Sequence, residues 1–97
     1  MALPIKGATY SFQISLIDAG SPTNFKDSPT LEAADFAISQ DGGTYAALNT
    51  TPTVATATDL IDVDLSTLET NCEQITIKIE DSSGGEWLPM KILIQTV

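Results

Sequence analysis

The side chains best suited to chemistry in this sequence are three aspartates close together in the chain, Asp59, Asp62 and Asp64. Asp62 and Asp64 alternate with apolar residues, so a strand would carry both carboxylates on one face, within reach of a hard cation. The glycine and the bidentate glutamate of a calcium loop are missing, which favours a solvated strand face. As an acid and base pair for glycoside cleavage they are poorly placed, because neighbours on one strand seldom straddle a bound sugar.

Other catalytic groups are scarce. The chain has no histidine, no arginine and one cysteine, Cys72, so zinc sites and nucleophile–histidine pairs lack their residues. A single cysteine also excludes an internal disulfide, and its position before an apolar strand predicts a buried small hydrophobic side chain. We therefore predict no catalytic residues, no metal, no cofactor and no enzymatic activity.

The net charge of −9 restricts the partners. Four lysines cannot form a basic stripe, so nucleic acid is disfavoured, and an anionic membrane surface would repel the chain. A basic protein or a divalent cation has the compatible sign, and solubility alone is the alternative explanation for the charge. The N-terminal residues lack the apolar core of a signal peptide, so we expect synthesis as a soluble cytoplasmic protein.

The elements that must position these groups are strands. The stretch from Cys72 to Thr96 contains two alternating runs around a loop of small residues at 81–85, which predicts a β-hairpin. The side chains expected to face inward are Ile75, Ile77 and Ile79 in the first run, and Leu88, Met90, Ile92 and Ile94 in the second. A two-stranded hairpin is not stable in water, so the apolar face needs a second layer.

The rest of the chain supplies that layer. Further strands are predicted over 9–16, 35–40, 44–48 and 60–65, with the threonine-rich stretch through Thr58 as an edge strand or coil. Asp41-Gly42-Gly43 predicts a tight hairpin, and Ser66 with Glu69 fits a capping box for one helical turn before Cys72. Residues 31–34 are too few to propagate a helix alone. About seven short strands at this spacing predict an antiparallel sandwich in a single domain, residues 1–97, with residues 1–8 as an N-terminal arm.

Two motifs carry a resemblance to a known group of proteins. The hairpin D-F-x-I-S-x-D-G-G spans Asp35–Gly43, and the closing strand begins with G-x-E-W at Gly84–Trp87. With the alternating first strand and the proline-containing loop after it, the chain resembles small virion-associated β-sandwich proteins of tailed bacteriophages along nearly its whole length. The likeness starts at Met1, so a stand-alone gene product is expected.

The resemblance implies an immunoglobulin-like sandwich built into a phage particle. We predict a non-enzymatic virion component made in the cytoplasm of the bacterial host. A capsid decoration protein that binds the major capsid protein or itself is the first hypothesis. The alternatives are a collar, neck, tail or fibre-attachment protein, or a carbohydrate-binding module for host adsorption. Other virion proteins and further copies of the chain are the expected partners, with no nucleic acid and no membrane.

Two surfaces are candidates for the contact. The apolar arm residues Leu3, Pro4 and Ile5 precede the first strand and either dock onto a neighbour or add an edge strand to their own sheet. Trp87 and Leu93 are predicted on the face opposite Leu88, where Trp87 either anchors an interface or completes the core.

Overall fold

The computed structural model describes residues 4–82 and 84–97 and is all-β. Its seven strands are β1 Tyr10–Ile14, β2 Phe36–Gln40, β3 Ala46–Ala47, β4 Thr53–Val54, β5 Ile61–Leu65, β6 Gln74–Ile79 and β7 Met90–Gln95. Within the described ranges, the helical content is one 3-10 turn, Ala33–Asp35. All pairings are antiparallel, in the orders β1-β5-β4 and β3-β2-β6-β7. The predicted all-β, two-sheet architecture is confirmed.

The core lies between the two sheets, where the alternation predicted it. On β6, Ile75, Ile77 and Ile79 are almost completely buried, and from the opposite sheet the inward side chains of β5 meet them. The buried apolar residues form one cluster: Leu16, Phe36, Ile38, Ile61, Val63, Leu65, Cys72, Ile75, Ile77, Ile79 and Trp87. Burial of these side chains is the main stabilising contribution.

The β2–β3 hairpin forms as predicted, but its second strand is shorter. Asp41 and Gly42 have φ angles of 50° and 76°, which a tight turn needs and glycine adopts without steric cost. The Asp41 carboxylate also accepts hydrogen bonds from the Glu73 and Gln74 amides, at 3.0 and 2.9 Å. The third strand was expected over residues 44–48, but only its residues Ala46 and Ala47 pair with β2.

The predicted capping box forms, but the segment after it is a hydrogen-bonded turn and not a helix. Glu69 Oε1 accepts from the Ser66 amide at 2.9 Å, and Ser66 Oγ accepts from the Glu69 amide at 3.3 Å. Thr70 N donates to Ser66 O at 3.1 Å, and the chain then turns sharply at Cys72. This turn carries the chain from β5 in one sheet to β6 in the other.

The closing hairpin is confirmed in its pairing and corrected in its start. β6 pairs with β7 from Ile79–Met90 to Gln74–Gln95. Leu88 does not share the inward face of β7, and Trp87 is not on an outward face: Trp87 is buried, whereas Leu88 is exposed. The reason is Pro89, which has no amide hydrogen and separates two segments with different partners. Residues 86–88 pair with residues 17–19, and β7 begins only at Met90.

Candidate functional site

The acidic face of the three-stranded sheet is a hydrogen-bonded polar surface. Asp62 and Asp64 lie on β5 opposite Gln13 and Ser11 of β1, and accept hydrogen bonds from them at 2.7 and 2.6 Å. With Thr53 they line a shallow depression of about 280 Å³, of which Asp59 is not part. In the parts of the chain that the structure describes, no three acidic, cysteine or histidine residues come close enough to hold a metal ion. The two aspartates thus lie on the outer face of the sheet, each engaged by a donor from β1, and the absence of a bound cation stays a prediction.

Cys72 is placed as a core residue. Its side chain is buried between the sheets, and its Sγ lies 3.6 Å from Glu69 O and 3.5 Å from Gln74 O. Burial raises the pKa of the thiol above its ordinary value of 9.0. Since the thiolate is the nucleophile, a buried thiol with a raised pKa is poorly suited to covalent chemistry.

Several carboxylates hold loops in place by accepting backbone hydrogen bonds. Asp35 is buried and accepts from Glu32 N at 2.9 Å and from Ser82 N and Oγ at 2.7 Å. Asp81 accepts from Gly84 N and Glu86 N, at 2.9 and 2.7 Å. Part of the acidity of this chain is thus used to fix the loop between β6 and β7.

The same kind of contact fixes the loop between β1 and β2. Glu86 Oε1 accepts from Thr30 N at 3.0 Å, which joins the two loops to each other. Asp18 Oδ1 accepts from Gly20 N at 2.8 Å. Hydrogen bonds to carboxylates are among the stronger ones in proteins, so these loops are held in defined positions.

The N-terminal arm lies against the C-terminus of its own chain. Leu3 lies outside the described residues. Lys6 N donates to Val97 O at 3.0 Å, Val97 N donates to Pro4 O at 2.9 Å, and Pro4 is buried. Ile5 is 58% exposed next to the exposed Val97. The described part of the arm therefore adds backbone pairing to its own domain and still presents an apolar side chain, so the predicted docking role of Ile5 stays a prediction.

Leu93 and Trp87, predicted on one face, are separated by the break at Pro89. Trp87 is 2% exposed and belongs to the core, and its Nε1 has no hydrogen-bond partner among the described residues. Leu93 is 66% exposed on the outer face of the four-stranded sheet. The core alternative thus describes Trp87 in the isolated domain, whereas Leu93 is accessible for contact.

The sequence prediction missed a second group of exposed apolar residues, at the end of the sandwich where residues 17–25 meet residues 86–88. Ile17, Phe25 and Leu88 are 40%, 61% and 39% exposed. The alternation of β1 continues to Leu16, which is predicted to point inward, so its neighbour Ile17 should point outward. The sequence could therefore have predicted the exposure of Ile17. Phe25 lies in an irregular loop, and no local pattern indicates its neighbours.

Comparison with protein families, with curated proteins and with solved structures finds no match to this chain. Across residues 4–82 and 84–97, no helix has the length and apolarity to cross a bilayer.

Proposed function

We propose that this chain is a non-enzymatic structural protein of a bacteriophage particle, bound in multiple copies to another virion protein. A capsid decoration role is the first form of the proposal, and a collar, neck or tail role is the second. The motifs at Asp35–Gly43 and Gly84–Trp87, through their resemblance to virion-associated sandwich proteins, support the setting.

The observation that carries a binding role is the exposure of large apolar side chains on a strongly acidic domain. Nine such residues among those that the structure describes are exposed: a group of three at Ile17, Phe25 and Leu88, the neighbours Ile5 and Val97, and four others, Tyr45, Val54, Leu68 and Leu93. Single exposed apolar residues are ordinary, but contiguous groups mark protein interaction surfaces.

The chemistry of the described residues supports the non-enzymatic part of the proposal. The sequence offers no histidine as a general base, and the thiol of Cys72 is buried. Asp62 and Asp64 are neighbours on one strand and are each engaged by a donor from β1. The serine hydroxyls that contact a carboxylate, Ser11 with Asp64 and Ser82 with Asp35, have no histidine beside them to act as the base.

The strand order supports the immunoglobulin-like part of the proposal. In such domains strands B, E and D share one sheet, and C, F and G share the other. Here β1, β5 and β4 form one sheet, and β2, β6 and β7 are neighbours in the other, with β3 beside β2. On this assignment no described strand occupies the position of strand A, and the arm runs beside the end of β7 instead.

Quantitative mass spectrometry of washed particles, from the phage that encodes the chain, tests the role. Hundreds of copies per particle are expected for a decoration protein, and six or twelve for a collar or tail component. Absence from particles whose other structural proteins are complete would contradict the proposal.

A glycan array tests the rival hypothesis of a carbohydrate-binding module. Sugar platforms use exposed aromatic rings, and the exposed rings here are Phe25 and Tyr45. The Lys78 ammonium lies 4.6 Å from the ring centre of Tyr45, just before β3, and Phe25 lies in the loop after β1. We expect no tight binding by the isolated domain; tight binding of one glycan class would favour the rival.

A further inference from the structure

Ile17, Phe25 and Leu88 form one continuous row across three extended segments. Ile17 lies directly opposite Phe25, with Asp18 N bonded to Asn24 O at 3.0 Å and Lys26 N bonded to Leu16 O at 2.6 Å. On the other side of Ile17, Leu88 N donates to Ile17 O at 2.9 Å, next to the Asp18–Trp87 bridge. Ile17 is therefore the middle member of the row, with Phe25 and Leu88 as its cross-strand neighbours.

The pleat of these segments turns the three side chains to the same side. Leu16 and Trp87, which precede Ile17 and Leu88, point into the core, so Ile17 and Leu88 point away from it. Side chains directly opposite each other on neighbouring strands lie about 5 Å apart, close enough to form one surface. We call Ile17, Phe25 and Leu88 the apolar row.

The apolar row is presented by loops that are already fixed. Asp81 accepts from Gly84 N and Glu86 N, Glu86 accepts from Thr30 N, and Asp35 accepts from Ser82 N. A surface that is ordered before binding loses less conformational entropy when a partner arrives. The row is thus suited to stable docking.

The charges around the apolar row select the partner. The segments 17–27 and 81–88 carry four carboxylates, on Asp18, Asp27, Asp81 and Glu86, against one ammonium, on Lys26. By the same pleat Glu86 shares the side of Leu88, whereas Asp18, opposite the buried Trp87, points to the other side. A second copy would bring the same carboxylates and another charge of −9, and an anionic membrane would be repelled. A protein surface with an apolar centre and a rim of lysine and arginine is complementary in both respects.

We propose that the apolar row is the centre of the surface by which this domain docks onto a basic protein of the particle. The proposal rests on the virion role proposed above and adds the docking face and the chemistry of the partner. A stable interface takes about 800 Å² from each side. That area is about one seventh of the domain's 5619 Å² surface, so the contact must extend from the row onto the residues around it.

The test compares the double variant Phe25→Ser/Leu88→Ser with Leu68→Ser. Leu68 is 79% exposed in the turn after β5 and provides a matched loss of exposed apolar surface elsewhere. Each gene replaces the wild type in the phage, and copy number per particle is measured. The double variant should fall at least about tenfold, as expected when central anchors are lost, with Leu68→Ser unchanged. A third variant, Ile5→Ser, tests the N-terminal arm as the alternative contact. Equal occupancy of the double variant and Leu68→Ser, or loss with Ile5→Ser and not with the double variant, would overturn the proposal.

A photo-crosslinking residue at position 25 keeps the test decisive if the double variant fails to fold. In purified particles we expect it to crosslink to a virion protein with an excess of lysine and arginine at the contact, and the same residue at position 68 to give no such product. Crosslinking to a second copy of this chain, or to an acidic surface, would overturn the proposal. Absence of the wild-type protein from particles would refute the virion role and this proposal together. If the wild type is present but the variant with the crosslinker at position 25 gives no product, this proposal alone is refuted.

Discussion

At the scale of single residues, Trp87 places its large indole ring in the core. Its Nε1 is buried and has no partner among the described residues. An unpaired buried N–H is unfavourable by about 1–3 kcal/mol. The tryptophan is therefore held by the apolar contacts of its ring with the core cluster.

This account predicts different effects for two substitutions of Trp87. Trp87→Ala should lower the free energy of unfolding by about 3–5 kcal/mol, because it leaves a large cavity. Trp87→Phe should lower the free energy of unfolding by less than half as much, because it leaves a smaller cavity and also removes the buried indole N–H. Urea unfolding at neutral pH measures both. A Trp87→Ala domain as stable as the wild type would show that the ring does not support the core.

Cys72 predicts a specific dependence of stability on alkaline pH. Burial raises the pKa of its thiol above 9.0, so the folded state favours the protonated thiol more than the unfolded chain does. The resulting stabilisation is fully present below pH 9 and is lost as pH rises through the pKa of the folded state. The slope can reach about 1.4 kcal/mol per pH unit for one proton.

The measurement compares urea unfolding of wild type and Cys72→Ala at pH 8 and pH 10. All other ionisable groups are common to the two proteins, so the difference between the two pH dependences reports the thiol. We expect wild type to lose more stability than Cys72→Ala over this interval. Parallel losses in the two proteins would contradict the assignment.

At the scale of elements, the buried Asp35 connects the start of β2 to the loop that carries Trp87 and Leu88. It accepts hydrogen bonds from Glu32 N and from Ser82 N and Oγ. Asp35→Ala would leave two backbone amides without this acceptor and should lower the free energy of unfolding by about 3 kcal/mol.

Asp64→Ala is the matched control for that prediction. Asp64 is exposed and accepts one hydrogen bond, from Ser11 Oγ at 2.6 Å, so its loss should change stability by less than about 1 kcal/mol. Thermal and urea unfolding distinguish the two variants. Equal effects would mean that Asp35 does not anchor the loop.

The strands were predictable from local alternation, whereas the junctions between sheets were not. The inward sets on β1, β5 and β6 follow the pattern of period two, and the Asp41–Gly42 turn follows from residues that tolerate positive φ. The exposure of Leu88 did not follow. A single continuous strand was the simplest interpretation of 88–94, and the separate pairing of residues 86–88 depends on residues 17–19, seventy positions earlier.

The candidate site shows the same limit. Ile5 was identified as part of an apolar arm before the first strand, and Leu93 by its place on the face opposite Met90 and Ile92; both are exposed in the isolated domain. Phe25 pairs with Ile17 through a β-bridge between two irregular segments, and no periodicity in the sequence predicts this pairing. Cross-strand contacts set by loops therefore need the three-dimensional structure.

At the scale of the whole molecule, the protein is a small acidic β-sandwich with several large apolar side chains exposed on its surface. The described Cα atoms extend over 37 × 28 × 21 Å, so each bound copy should be visible as a separate feature on a particle. Cryo-electron microscopy of particles with and without the gene is therefore the most direct test of a virion role.

That comparison has two clear outcomes. We expect difference density with the dimensions of this domain, repeated around the particle and fitted by the sandwich. In the fitted structure, Ile17, Phe25 and Leu88 should face a basic surface of the neighbouring protein. Identical reconstructions with and without the gene would contradict the structural role on the particle.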